Sequence, residues 1–135
     1  RTSALAGQED FRRIAVRALL AEFEAASRFP SAFGRFLSAT AMALAPPTEV
    51  VLLGDPESQE LADLLAVTNR FYLPHRIVVG GNPADLPPMP ILEGREAVEG
   101  KAVAYVCQDF TCSLPLSDPS RLAAELEKSA GATNG

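Results

Sequence analysis

The sequence predicts an α/β fold: a small three-stranded parallel sheet flanked by helices, preceded by an N-terminal helical hairpin. Three observations predict it. Val50-Val51-Leu52-Leu53 is an unbroken apolar run closed by Gly54, and Ile77-Val78-Val79 is a second one closed by Gly80-Gly81. Between them the apolar residues recur at helical spacing. Buried strands joined by a crossover helix lie parallel in one sheet.

The elements follow in order. Phe11, Ile14, Ala15, Ala18, Leu19 and Phe23 fall on one face of a helix, widened by Val16 and Leu20. Pro30 breaks it. Phe33, Leu37, Ala41 and Leu44 repeat the pattern until Pro46-Pro47 ends it. Residues 1–47 are therefore a helical hairpin and residues 48–135 a small α/β domain. After the first strand, Asp55-Pro56 reads as an N-cap followed by proline, opening a helix along Leu61, Leu64, Leu65 and Thr68.

Residues 80–101 hold four prolines, Pro83, Pro87, Pro88 and Pro90, and no period, which marks a functional loop or a segment laid on another surface. The third strand covers residues 102–107, and a turn follows over 108–115. Asp118-Pro119 opens the last helix, Leu122, Ala123 and Leu126 form its buried stripe, and Gly131 stops it. The expected strand order is 2-1-3. The tail from Ala130 is small and polar and is expected to fray.

Composition narrows the function classes. The chain has 135 residues, 47% of them hydrophobic and 21% charged, which is the profile of a folded domain. The net charge is -5 and basic residues are not clustered, so neither nucleic acid nor an anionic membrane is an expected partner. Apolar runs are too short to cross a bilayer and no leader pattern opens the chain, which reads as cytoplasmic. Frequent Ala, Arg and Pro with little Lys points to a GC-rich bacterial gene.

Cys107 and Cys112 are the sharpest chemical feature. In a reducing cytosol they are expected as free thiols. Their four-residue spacing is not the Cys-x-x-Cys of helix-activated redox sites. One reading is a redox or redox-sensing pair, or half of a metal site. The other is one core cysteine and one that packs a turn, and this structural reading is preferred because buried cysteines are usually inert. Zinc needs four ligands, and the single histidine, His75, precedes a different strand, so no metal is expected. No cofactor motif is present either.

In an open parallel sheet, ligands collect at the strand carboxyl ends. Gly54, Asp55, Gly80, Gly81, Asn82 and the Cys107 turn are expected to converge there as a candidate ligand site. Helix capping accounts for Asp55 and Asp118 better than catalysis does. Glu57, Glu60 and Asp63 are spaced as a solvated helix face. There is no nucleophile elbow, zinc-protease helix or Ser/His/Asp set.

The stretch from Ala104 to Pro115, with Tyr105-Val106-Cys107 and Cys112, preceded by Leu92-Glu93-Gly94-Arg95 and Gly100-Lys101, resembles the extreme C-terminus of the YyaL-like, spermatogenesis-associated thioredoxin-domain proteins. That family joins a thioredoxin-like domain to an α/α toroid related to six-hairpin glycosidases. The resemblance implies that residues 11–45 match the last toroid hairpin and 48–129 the terminal α/β segment. It also implies that redox or sugar chemistry housed in the other domains does not transfer to these residues. The expected role is a non-catalytic structural or interaction module whose partner is the remainder of its parent polypeptide. In isolation its broad apolar helix faces predict a homo-oligomer.

Overall fold

The computed structural model describes residues 9–45, 47–98, 100–108 and 111–132, without the side chains of Glu9 and Ala132. The chain divides into two compact units, Arg1–Pro46 and Pro47–Gly135.

In the first unit, helix α1 (Glu9–Arg28) leads through a 3-10 turn (Pro30–Phe33) into helix α2 (Gly34–Leu44). Phe29 N–H still bonds Ala25 O, while Ala32 N–H turns to Phe29 O, so the ladder tightens where Pro30 cannot donate. The two helices are in contact, Ala26 of α1 is buried, and Phe33 and Phe36 meet edge to face at 5.8 Å. Most of the remaining apolar residues of α1 are exposed.

The second unit is a four-stranded sheet in the order β2-β1-β3-β4, with β1 Glu49–Leu53, β2 Ile77–Gly81, β3 Val103–Gln108 and β4 Thr111–Cys112. Helix α3 (Gln59–Arg70) links β1 to β2, and helix α4 (Pro119–Ala132) closes the unit. The α/β class therefore holds. The all-parallel sheet does not: β1 and β2 are parallel, but β3 runs antiparallel to β1, and β4 antiparallel to β3. The reason lies in the connection after β2. Gly81 ends opposite Leu53, and Val103 begins opposite the same Leu53, so the connection leaves and re-enters at one end of the sheet. A parallel third strand needs a crossover back to the other end, and among the described residues of this segment the one helical element is a 3-10 turn, Pro90–Leu92. The stretch expected as a plain turn after β3 instead folds back beside it, and the pairing extends to an Ala104–Leu116 bridge.

Local chemistry shifts two helix boundaries. Asp55 does not cap α3; its Oδ1 accepts from Glu57 N–H in a turn, and Ser58 Oγ takes the N-cap role by accepting from Leu61 N–H. Asp118 accepts from Ser120 N–H and does open α4. The helix runs through Gly131, which therefore does not stop it. The last part of the tail lies outside the described residues. Arg76 ends α3 by donating to the carbonyls of Thr68 and Phe71 and to Asn69 Oδ1, satisfying carbonyls that the helix leaves open.

One sheet face packs on helices: Val50, Leu52, Ala104 and Val106 meet Leu61, Leu64, Val67, Leu122 and Leu126. Leu65, expected in the stripe, is exposed, and Val67 takes its place. The opposite face carries Val51, Leu53, Val103, Tyr105 and Cys107, all buried as well. There the connection between β2 and β3 supplies cover: the 3-10 turn lies on β1, Ile91 is buried, and Tyr105 Oη donates to Glu96 O at 2.7 Å. β1 is thus buried on both faces. β2 is a half-exposed edge strand with Val78 open, not the fully buried strand its sequence suggests.

Candidate functional site

The expected site residues separate into two groups at opposite ends of the sheet. Gly54, Asp55, Gly80, Gly81 and Asn82 do converge beyond the ends of β1 and β2, where Gly54 N–H bonds Gly81 O at 3.1 Å. Their chemistry is spent locally. A Cβ on Gly54 would lie 3.0 Å from Ala102 Cα and Cβ, and one on Gly80 3.0 Å from Leu52 O, so both glycines admit close packing. Asp55 and Asn82 side chains accept from the backbone two residues on. The open hollows lined by Pro88 to Glu93 and by Val106, Thr111 and Glu125 lie away from these residues.

The Cys107 turn is not with them. Because β3 is antiparallel, Cys107 pairs with Glu49 at the start of β1, while Val103 pairs with Leu53 at its end. The expected convergence of the cysteines with the strand carboxyl ends is therefore corrected by the reversal of β3.

Cys107 and Cys112 are directly opposite each other on β3 and β4. Ser113 N–H bonds Val106 O at 2.8 Å, which makes the neighbouring cysteine pair a non-hydrogen-bonded one, where opposed Cα atoms come closest. Their Cα atoms are 4.0 Å apart, and the two sulfurs are joined as a disulfide. The expectation of two free thiols is thus replaced by a cross-strand pair, because the chain folds back immediately after β3. Cys107 is 2% exposed, whereas Cys112 is open to solvent.

Arg95 completes the site, and no sequence period pointed to it. Gly94, at φ +70°, turns the connection just before it. Its side chain is only 10% exposed. Nη1 donates to Ile91 O, and Nη2 lies 3.1 Å from Cys107 Sγ and 3.0 Å from Cys112 Sγ. Nε is buried with no partner among the described residues. Glu49 Oε2 stands 3.8 Å from Nη2, at the outer limit of an ion pair. Burial pushes the Glu49 carboxyl above its ordinary value, and the Arg95 charge recovers only part of that cost. A signal for Arg95 did exist: it is the one arginine in the proline-rich segment 80–101, which has no period of its own.

The remaining candidates behave as solvated or structural groups. Glu57, Glu60 and Asp63 are exposed, and Asp63 accepts from Gln59. His75 is half-buried in the turn before β2. Among the described residues no group of three His, Cys, Asp or Glu side chains is placed to hold a metal ion. No described helix is long and apolar enough to cross a membrane.

Fold and site together define a small α/β domain with a mixed four-stranded sheet and an arginine-backed cross-strand cysteine pair. By sequence the chain is homologous to spermatogenesis-associated protein 20: it is 27% identical to the rat protein (Rattus norvegicus), 26% to the human and 25% to the mouse protein, over 126 residues in each case. Each alignment covers 90% of this chain but only 16% of the relative, so the chain spans about a sixth of the length of the curated relatives it matches. This supports the resemblance carried by the cysteine-bearing stretch. The relatives are mammalian, and nothing in them supports the bacterial source read from composition. No protein-family model matches the chain, and no solved structure does.

Proposed function

We propose that this chain is a non-catalytic structural and interaction module of a longer polypeptide, resembling the C-terminal segment of the spermatogenesis-associated thioredoxin-domain proteins. In that reading α1 and α2 form the last hairpin of an α/α toroid, and the sheet unit is the α/β segment that follows it in sequence. The partner is the rest of that polypeptide.

The observation that carries the proposal is the apolar surface of the helical unit. Ile14 is 62% exposed, Leu20 70%, Phe23 60%, Phe29 64% and Leu44 82%. A soluble chain rarely leaves so many large apolar side chains open on so short a segment, and such patches mark surfaces that another chain covers. The relatives supply the reason to name the occupant, since about five-sixths of their length lies outside the matched region.

The test is the oligomeric state of the isolated chain. With its partner surface missing, the exposed face is expected to pair with itself, and light scattering should report a dimer or larger species at high concentration. Ile14→Glu combined with Leu20→Glu should convert that species to monomer while circular dichroism retains the helical signal. A wild-type chain that stays monomeric at high concentration would refute the proposal.

A further inference from the structure

The arginine behind the cysteines is poorly matched to the bonded state of the pair. Disulfide sulfurs are neutral and weak acceptors, yet Arg95 Nη2 is aimed at both of them from a buried position, with Nε unpartnered among the described residues and the Glu49 carboxylate only at 3.8 Å. A buried guanidinium gains most from an anionic acceptor, and a thiolate at either sulfur would be one. The cysteines differ in access as well: Cys112 is exposed and Cys107 buried.

We propose that Cys107 and Cys112 are a reversible dithiol–disulfide pair that exchanges with an exposed disulfide on a partner. Cys112 is the attacking thiolate, Cys107 the resolving thiol, and Arg95 the cation that stabilises the thiolate. In the first step Cys112 Sγ attacks one sulfur of the partner disulfide; a mixed disulfide forms and one partner thiolate leaves. Cys107 then gives its proton to that leaving thiolate or to solvent and attacks Cys112 Sγ. The internal disulfide forms, the mixed one breaks, and the second partner thiolate departs. Two electrons pass from the cysteine pair to the partner, and a dithiol drives the same steps in reverse. Among the described residues, the charged groups around the pair are Arg95 and Glu49 on the connection-covered face, with Glu125 and Lys128 across the hollow that Cys112 also lines. Lys128 is held by Glu125 at 3.0 Å, which leaves Arg95 as the cation in contact with the sulfurs.

The experiment uses the reduced chain and dithiobis-nitrobenzoate as the partner disulfide. Wild type should release two nitrobenzoate thiolates and retain no adduct, whereas Cys107→Ser should release one and keep the adduct on Cys112 by mass spectrometry. The pH profile of Cys112 alkylation should give a pKa below the free-thiol value of about 8.5. Arg95→Met should slow the reaction below neutrality about threefold, because one pKa unit removes about tenfold of the thiolate while the more basic sulfur, being the better nucleophile, recovers about threefold, and Arg95→Lys should restore much of the loss. Stable adducts on both wild-type cysteines would overturn the proposal, as would a wild-type Cys112 pKa at or above the free value or an Arg95→Met rate equal to wild type. The wild-type profile decides the matter alone if the arginine variants fail to fold.

Discussion

Glu49 brings a carboxylate into a partly buried position beside Arg95, and its burial outweighs the attraction of a guanidinium 3.8 Å away. The folded protein therefore holds the Glu49 proton more tightly than the unfolded chain does. Its contribution to stability is fully present below the ordinary value of 4.5 and is lost as pH rises through the elevated folded value. Glu49→Gln should remove that component, so unfolding free energy should fall less for the variant than for wild type as pH is raised from about 4 to neutrality. An equal or steeper fall, followed by urea titration at each pH, would contradict this account. At this scale the sequence was half legible. Cys107 and Cys112 stood out as the chemistry-bearing residues, but their partnership was hidden because nothing in residues 108–115 announces a strand. Arg95 and Glu49 stand 46 positions apart in sequence; the sheet register sets Glu49 opposite Cys107, and the connection lays Arg95 beside both.

Elements were legible where one rule dominated. The periods of α1 and α2 and the apolar runs of β1 and β2 mark their positions directly, because each is a local pattern of spacing that needs no distant contact to be read. The direction of β3 was not legible. It depends on which end of the sheet the connection returns to, and that segment holds its place through side-chain contacts that carry no period. Tyr105 is one such contact: its hydroxyl donates to Glu96 O and accepts from Glu96 N–H. Tyr105→Phe is expected to cost about 1 kcal/mol, the usual net value of a partly buried hydrogen bond plus the unmet carbonyl, read as a shift in the urea midpoint. It should also speed hydrogen exchange in the connection. Unchanged exchange there would mean that Ile91 and Arg95 hold the segment without it.

The sheet unit as a whole has its main core in the layer in which α3 and α4 meet over β1 and β3. Leu122 and Leu126 of α4 and Leu64 of α3 are fully buried there. Leu122→Ala is expected to cost about 2–5 kcal/mol, a large share of the roughly 5–15 kcal/mol that holds an ordinary domain together. Chemical unfolding monitored by circular dichroism would show it, and a loss under about 1 kcal/mol would mean that this layer collapses around the gap instead of keeping a cavity. The α/β class could be read in advance because it follows from alternating strand and helix signals. The mixed sheet could not, since pairing direction is a property of the assembled chain.

The reversal of β3 gives the sheet two poles. Glycine-lined turns occupy one, the cysteines and their arginine the other, and the four steps of about 3.3 Å from Glu49 to Leu53 along β1 keep them roughly 13 Å apart. Two neighbouring strands, β1 and β3, run from one pole to the other: Glu49 stands opposite Cys107 at the sulfur end, and Leu53 stands opposite Val103 and Gly81 at the glycine end. Any message between the two travels along that pair of strands.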